Sequence, residues 1–201
     1  RAAVLLAAGM IADYGIYAFL AVTYRPVPDV PQEIAVALKN NIPDGRIYSP
    51  TFSIPQSYAA RYGLQLAGGI APLIIKTYYD QFTSALGGAF PPGYSVTLPP
   101  IAAGNPMDNP AALATDPEKI GELNVVWIFT QQELINSQQF DLIYSQEGYY
   151  LYRNLMARPL VEISSSSSEA QASIETKDIN RIVIEARGPG RITVRVPDYP
   201  G

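Results

Sequence analysis

The sequence predicts an α+β (or α/β) chain: a central mixed sheet with packed helices, plus a C-terminal antiparallel β-hairpin segment of a truncated β-rich domain. Three observations carry this expectation. Residues 124–130 read NVVWIFT, a continuous apolar run of β-forming residues that suits a buried strand. Residues 71–86 space Leu73, Ile74, Tyr78, Phe82 and Leu86 at helical intervals. Residues 181–196 alternate apolar and polar side chains on either side of Gly188, Pro189 and Gly190, which turn the chain.

Residues 2–12 carry no charge, and Asp13 is the only charge between Arg1 and Arg25. A spanning helix needs about 20 apolar residues, and Asp13 would be costly at a bilayer centre. Residues 1–24 therefore read either as the outer end of a membrane helix or as a buried segment of a soluble core. Asp29 and Pro31 open a helix over 32–40, with Ile34, Val36, Ala37 and Leu38 on its buried face. The turn signal Asn40, Asn41, Pro43, Asp44, Gly45 precedes a strand at 46–49.

Residues 57–63 are polar and aromatic and receive no element. Residues 64–67 run into a turn at Gly68 and Gly69, and Gly87 and Gly88 close the 71–86 helix. Residues 90–109 form a long loop with an extended piece at 94–98. Asp116, Pro117 and Glu118 open a helix ending near Leu123, with Asp116 as its cap. Residues 140–145 and 149–153 pair across Gln146, Glu147 and Gly148. Trp127, inside its apolar run, belongs to the core.

Serine fills positions 164–168, and such a run reads as a mobile link. The hairpin beyond it gathers Ile182, Ile184, Ile192, Val194 and Val196 on one face, which requires a cover; residues 157–163 are the expected neighbouring strand. The chain thus divides into an apolar segment (1–24), an α/β ectodomain (25–163), a serine linker (164–168) and a β-hairpin segment (169–201).

Composition narrows the chemistry. The chain has 14 basic and 18 acidic residues, a formal charge of -4, and no basic cluster, so no groove for nucleic acid is expected. Arg187, Arg191 and Arg195 read as the solvent face of strands. Cysteine and histidine are absent, which excludes a Ser-His-Asp triad, disulfides and the usual zinc or copper ligands. No phosphate-binding glycine loop occurs. Asp13, Asp29, Asp80, Asp108, Asp116 and Asp141 sit in no catalytic motif. No catalytic residue, metal or cofactor is expected. Tyrosines supply the binding candidates: Tyr48, Tyr58, Tyr62 and Tyr79, with Asp80 beside the last, in a region rich in amides that suits sugar rings. Against this stands a half-buried core with hydroxyls at the surface.

Four stretches in order carry a resemblance: GRIYSP at 45–50 followed by SYAARYGLQLAGGIAPLIIKTYYDQF, LNVVWIF at 123–129, YYLYRNLMARP at 149–159, and DYPG at 198–201. Together they resemble the extracytoplasmic C-terminal region of YfhO-like bacterial membrane proteins, of the GT-C-like class of polytopic glycosyltransferases. The family's YPGW motif lies in a β-rich domain. Ala71 stands where the family often has an acidic residue, and Arg158 and Pro159 reverse its Pro-Arg pair, so no role is carried over at either place.

The resemblance implies that catalysis and the lipid-linked donor belong to membrane loops outside this chain. This chain would then be an accessory domain at the extracytoplasmic face of the cell membrane. Its partners would be the transmembrane portion of the same polypeptide and a cell-envelope glycan. The competing readings are a free-standing carbohydrate-binding or adhesion module and, third, a glycosidase using carboxylates alone.

Overall fold

The computed structural model describes residues 36, 38, 45–71, 73–87, 97–101, 108–109, 115–134, 138–178 and 181–195. In chain order its elements are β1 (Arg46–Tyr48), α1 (Gln56–Tyr62), β2 (Gly69–Ile70), α2 (Lys76–Ala85), β3 (Thr97–Leu98), α3 (Pro117–Gly121), β4 (Val125–Thr130), β5 (Phe140–Gln146), β6 (Tyr149–Asn154), β7 (Val161–Ser164), β8 (Gln171–Asp178), β9 (Arg181–Arg187) and β10 (Arg191–Val194). Among the described residues the fold is mixed α/β, rich in strands and with few helices. The readings of 1–24 and of most of 32–40 lie outside the described residues.

The apolar run of β4 becomes an inner strand. The main sheet has the order β1-β4-β6-β5. β1 runs parallel to β4, and β4, β6 and β5 are antiparallel in turn. Successive side chains of a strand point to opposite faces, so Ile47 and Tyr48 enter different cores. One core joins Tyr48, Tyr79, Phe82, Leu86, Ile120, Ile128 and Tyr152. The other joins Leu38, Ile47, Ile54, Tyr58, Trp127, Phe129 and Leu151. α2 and α3 thus cover one face, and α1 with Leu38 covers the other. A strand buried on both faces must be apolar throughout, which is why β4 does not alternate.

Local chemistry sets several boundaries. The β5–β6 turn places Glu147 at φ 51 and Gly148 at φ 76, the paired positive angles of a type I′ hairpin turn. The Asp116 carboxylate accepts from the backbone N–H groups of Glu118 and Lys119, capping α3 as expected. α1, which shows no apolar periodicity in the sequence, ends in a Schellman closure: Gly63 takes φ 68, Leu64 N–H donates to Ala59 and Gly63 N–H to Ala60.

Two helix expectations change. The 71–86 helix begins only at Lys76, because Ile70 is drawn into β2 and Ile75 is extended at φ -66, ψ 127. Leu73 therefore leaves the buried face and is 87% exposed. At 32–40, residues 36 and 38 are helical; Leu38 is buried, but Val36, expected beside it, is half exposed.

The C-terminal strands do not pair as expected. β9 pairs with β8, and β10 pairs with β7, both antiparallel. The result is one bent ribbon in which residues 165–170 lie opposite residues 188–190. The serines at 165–168 form the longer side of this corner. Ser165 Oγ donates to the Pro189 carbonyl and accepts from Ser167 N–H, so short polar side chains satisfy the turn locally. Gly190 must lack a side chain there: a Cβ would fall 2.9 Å from both Ile163 Cγ1 and the Ser164 carbonyl oxygen. Because β9 and β10 have different partners, their apolar residues share no covered face. Ile182 and Ile184 are half-buried, and Ile192 and Val194 are 40% and 36% exposed. The expected neighbour at 157–163 does pair, as β7, but with β10 alone.

Candidate functional site

The tyrosines singled out in the sequence do not converge. Tyr48 and Tyr79 are buried in the first core, and Tyr58 in the second. The Tyr48 ring meets Phe82 edge-on at 5.3 Å. Tyr62 is exposed, its ring 4.5 Å from Tyr58 and beneath the Arg61 guanidinium at 5.7 Å. Asp80 lies on the open side of α2 in an ion pair with Lys76. Strand alternation turns Tyr48 inward, and the i, i+3 spacing of Tyr79 and Phe82 puts both on the core side of α2. An aromatic sugar platform from these residues is not assembled.

Burial, with no hydrogen-bond partner for the hydroxyl among the described residues, pushes the Tyr48 phenol well above the ordinary tyrosine range. The unfolded chain then loses this proton before the folded chain does. The contribution to stability is complete below about pH 10 and is lost as pH rises from there toward the folded-state pKa. Tyr48→Phe is expected to weaken the fall in stability above pH 10, by up to about 1.4 kcal/mol per pH unit. Urea titrations at stepped alkaline pH would check this; identical slopes for both proteins would show that Tyr48 ionises freely in the fold.

A different set of residues lines a cleft of about 710 Å³, within the usual range for ligand pockets. Its floor is the end of the sheet where β4 begins and β6 finishes. Asn124, 3% exposed, takes φ 58 and donates through Nδ2 to the Arg158 carbonyl at 2.8 Å. Asparagine tolerates this left-handed angle. Asn154 is fully engaged: Nδ2 donates to the carbonyls of Pro117 and Val125, and Oδ1 accepts from Met156 N–H. These two amides route residues 155–160 along one wall. β8 supplies the other wall through Ser173, Ile174 and Glu175.

The ribbon is held in place by Arg195. Its side chain is only 10% exposed, and it binds Glu122 Oε2 at 3.2 Å, Glu162 Oε2 at 2.8 Å and the Pro159 carbonyl at 3.0 Å. This corrects its reading as a solvent-face residue, which holds for Arg187 and Arg191. Arg195 N–H also donates to Leu160, extending the β7–β10 pairing toward the cleft.

The cleft is lined by two cations, Arg153 and Arg158, and one carboxylate, Glu175. Arg158 meets Glu122 at 3.5 Å. Arg153 makes no ion pair among the described residues, although Asp141 is its cross-strand neighbour. A lone carboxylate does not provide the opposed pair that glycoside hydrolysis uses. What the lining can do is hold a hydroxyl-bearing anion: guanidinium groups donate charge-assisted hydrogen bonds, and Ser173 and Glu175 accept from hydroxyls. The sequence reading named Arg158 only as part of a reversed Pro-Arg pair and gave no binding role to any of these residues. A faint signal was present in Asn124, which heads the apolar run, and in Arg153, the only charge in YYLYR.

No protein-family model, no curated protein and no solved structure matches this chain. Among the described residues, no group of three or more Asp or Glu side chains is placed to hold a metal ion. No helix among them is long and apolar enough to cross a membrane.

Proposed function

We propose that the chain is an accessory extracytoplasmic domain of a polytopic membrane protein of the GT-C-like class, and that it recognises a cell-envelope acceptor without supplying catalytic residues. The transmembrane portion of the same polypeptide is its partner, and the cell membrane's outer face its location. The ordered sequence motifs support the membrane parent. The β-rich ribbon fits the family's β-rich C-terminal region. The observation that carries the recognition role is the cleft between sheet and ribbon, with Arg153, in no ion pair among the described residues, on its lining. Its acceptor would be an acidic saccharide, whose carboxylate meets the guanidinium groups and whose hydroxyls meet Ser173 and Glu175.

The test is calorimetric titration of the purified chain with uronate-containing and neutral oligosaccharides. Acidic saccharides should bind more tightly, and more weakly as salt rises. Arg153→Ala should lower the affinity about tenfold or more, the worth of one charge-assisted hydrogen bond. Tyr62→Ala should leave it unchanged. No binding at millimolar sugar, or binding lost through Tyr62 rather than Arg153, would refute the cleft assignment. A parent gene without spanning segments would refute the membrane reading.

A further inference from the structure

Arg158 is pinned by its backbone while its side chain stays half exposed on the cleft lining. Its N–H donates to the Gly121 carbonyl at 3.2 Å, and its own carbonyl accepts from Asn124 Nδ2 at 2.8 Å. The preceding residues press on the end of α3. A Cβ added at Gly121 would fall 2.4 Å from the Met156 carbonyl oxygen and 3.1 Å from Ala157 Cα. Only the Arg158 side chain is left with room to move.

That side chain has one ion-pair partner among the described residues. Arg158 Nε stands 3.5 Å from Glu122 Oε1, and Glu122 lies outside the cleft lining. Glu122 is shared, because Arg195 Nε holds its other oxygen at 3.2 Å. The two contacts are unequal. The Arg158 and Glu122 side chains are 54% and 56% exposed, and a pair so open to water is weak. Arg195 is enclosed and is fixed further by Glu162 and the Pro159 carbonyl. Glu122 can therefore release Arg158 and still keep a cation.

We infer that Glu122 sets the anion affinity of the cleft by competing with the ligand for Arg158. This rests on the acidic-saccharide reading of the cleft and adds to it a positioning residue outside the lining. Glu122 holds the Arg158 guanidinium until a carboxylate in the cleft draws it over, and Arg195 goes on neutralising Glu122. The pinned backbone confines the change to side-chain rotation, so the cleft wall stays in place. Two anions share one cation, and the ligand's affinity is lowered by the worth of the Arg158–Glu122 contact. Arg153, in no ion pair among the described residues, carries no such cost.

Glu122→Gln keeps the side-chain shape and an oxygen for Arg195 but removes the charge. Calorimetric titration of the full chain with trigalacturonate, at about 0.15 M salt to screen distant charges, is the test. Glu122→Gln should bind about two- to fivefold more tightly than the unaltered protein, the range for an exposed pair. In an Arg158→Ala background the same substitution should change nothing further, because no guanidinium is there to release. Loosening of the ribbon through Arg195 would weaken binding, the opposite sign. Glu162→Gln, which removes the other Arg195 partner, should not tighten it. Equal tightening in both backgrounds, or tightening by Glu162→Gln, would assign the effect to overall charge. Unchanged or weaker binding by Glu122→Gln would leave Glu122 as a brace. Any of these results overturns the inference while the cleft reading stands. If the unaltered protein does not bind trigalacturonate, the cleft reading fails and this inference with it.

Discussion

Replacing Phe82 with alanine should remove about 3–5 kcal/mol of stability, the range for deleting a buried aromatic side chain. Phe82 has no exposed surface and sits between the rings of Tyr48 at 5.3 Å and Tyr78 at 5.9 Å. Losing it opens a cavity and strips Tyr48 of its edge-on partner, a contact worth about 0.5–1.5 kcal/mol beyond area alone. Domains of this size are stable by only about 5–15 kcal/mol. The urea midpoint should therefore fall steeply while the slope of the transition stays the same. Tyr62→Ala is the matched control: a 41% exposed ring should cost less than about 1 kcal/mol. The comparison separates the two readings of the aromatic residues. Were Phe82→Ala to cost no more than Tyr62→Ala, α2 would not be packed on the sheet, and the assignment of Tyr48 and Tyr79 to a core would fall.

The parts of the fold legible in the sequence are those whose side-chain pattern is a direct consequence of burial. β4 lies between two cores, so it had to be apolar at successive positions, and NVVWIFT was readable without any partner in view. The β5–β6 hairpin was readable because its turn demands positive φ, which Glu147 and Gly148 provide. α1 was not readable by periodicity: it buries only Tyr58 and Ala59 and is defined more by Gly63 at its end than by an apolar stripe. Alternation in 181–194 correctly announced strands, but period two says only that a strand has two faces. It does not say which strand lies beside it, and β8, with polar residues at Gln171, Ser173 and Glu175, offered little competition to the obvious hairpin. The cleft was the least legible feature. Its lining comes from residues 45, 124, 126, 153–155, 157–161 and 172–175, and no linear window contains that set. Tyrosine density drew attention instead, although most of those rings serve the core.

Gly45→Ala should cost about 2–5 kcal/mol, from two penalties that can be separated. Gly45 takes φ 122, a backbone region that side chains rarely occupy and that costs about 1–3 kcal/mol when forced. An added Cβ would also fall 2.2 Å from Val126 Cγ2, and such overpacking typically costs about 1–3 kcal/mol. Neither can relax freely, because the next residue is fixed: Arg46 N–H donates to the Asn124 carbonyl at 2.8 Å, and Arg46 lies in register with Val125. Shifting Gly45 would pull β1 from the edge of the sheet and distort the cleft wall that Gly45, Asn124 and Val126 share. Val126→Ala removes the obstructing methyl and, at a half-buried position, should cost about 1 kcal/mol by itself. The double variant should then be about 1–2 kcal/mol more stable than the sum of the single losses predicts, since removing the Cγ2 overlap leaves the backbone strain and the 2.8 Å approach to Val126 Cβ. Denaturation of all four proteins in the cycle supplies that coupling. Strictly additive losses would mean that Val126 does not face Gly45, and the register of β1 on β4 would have to be redrawn.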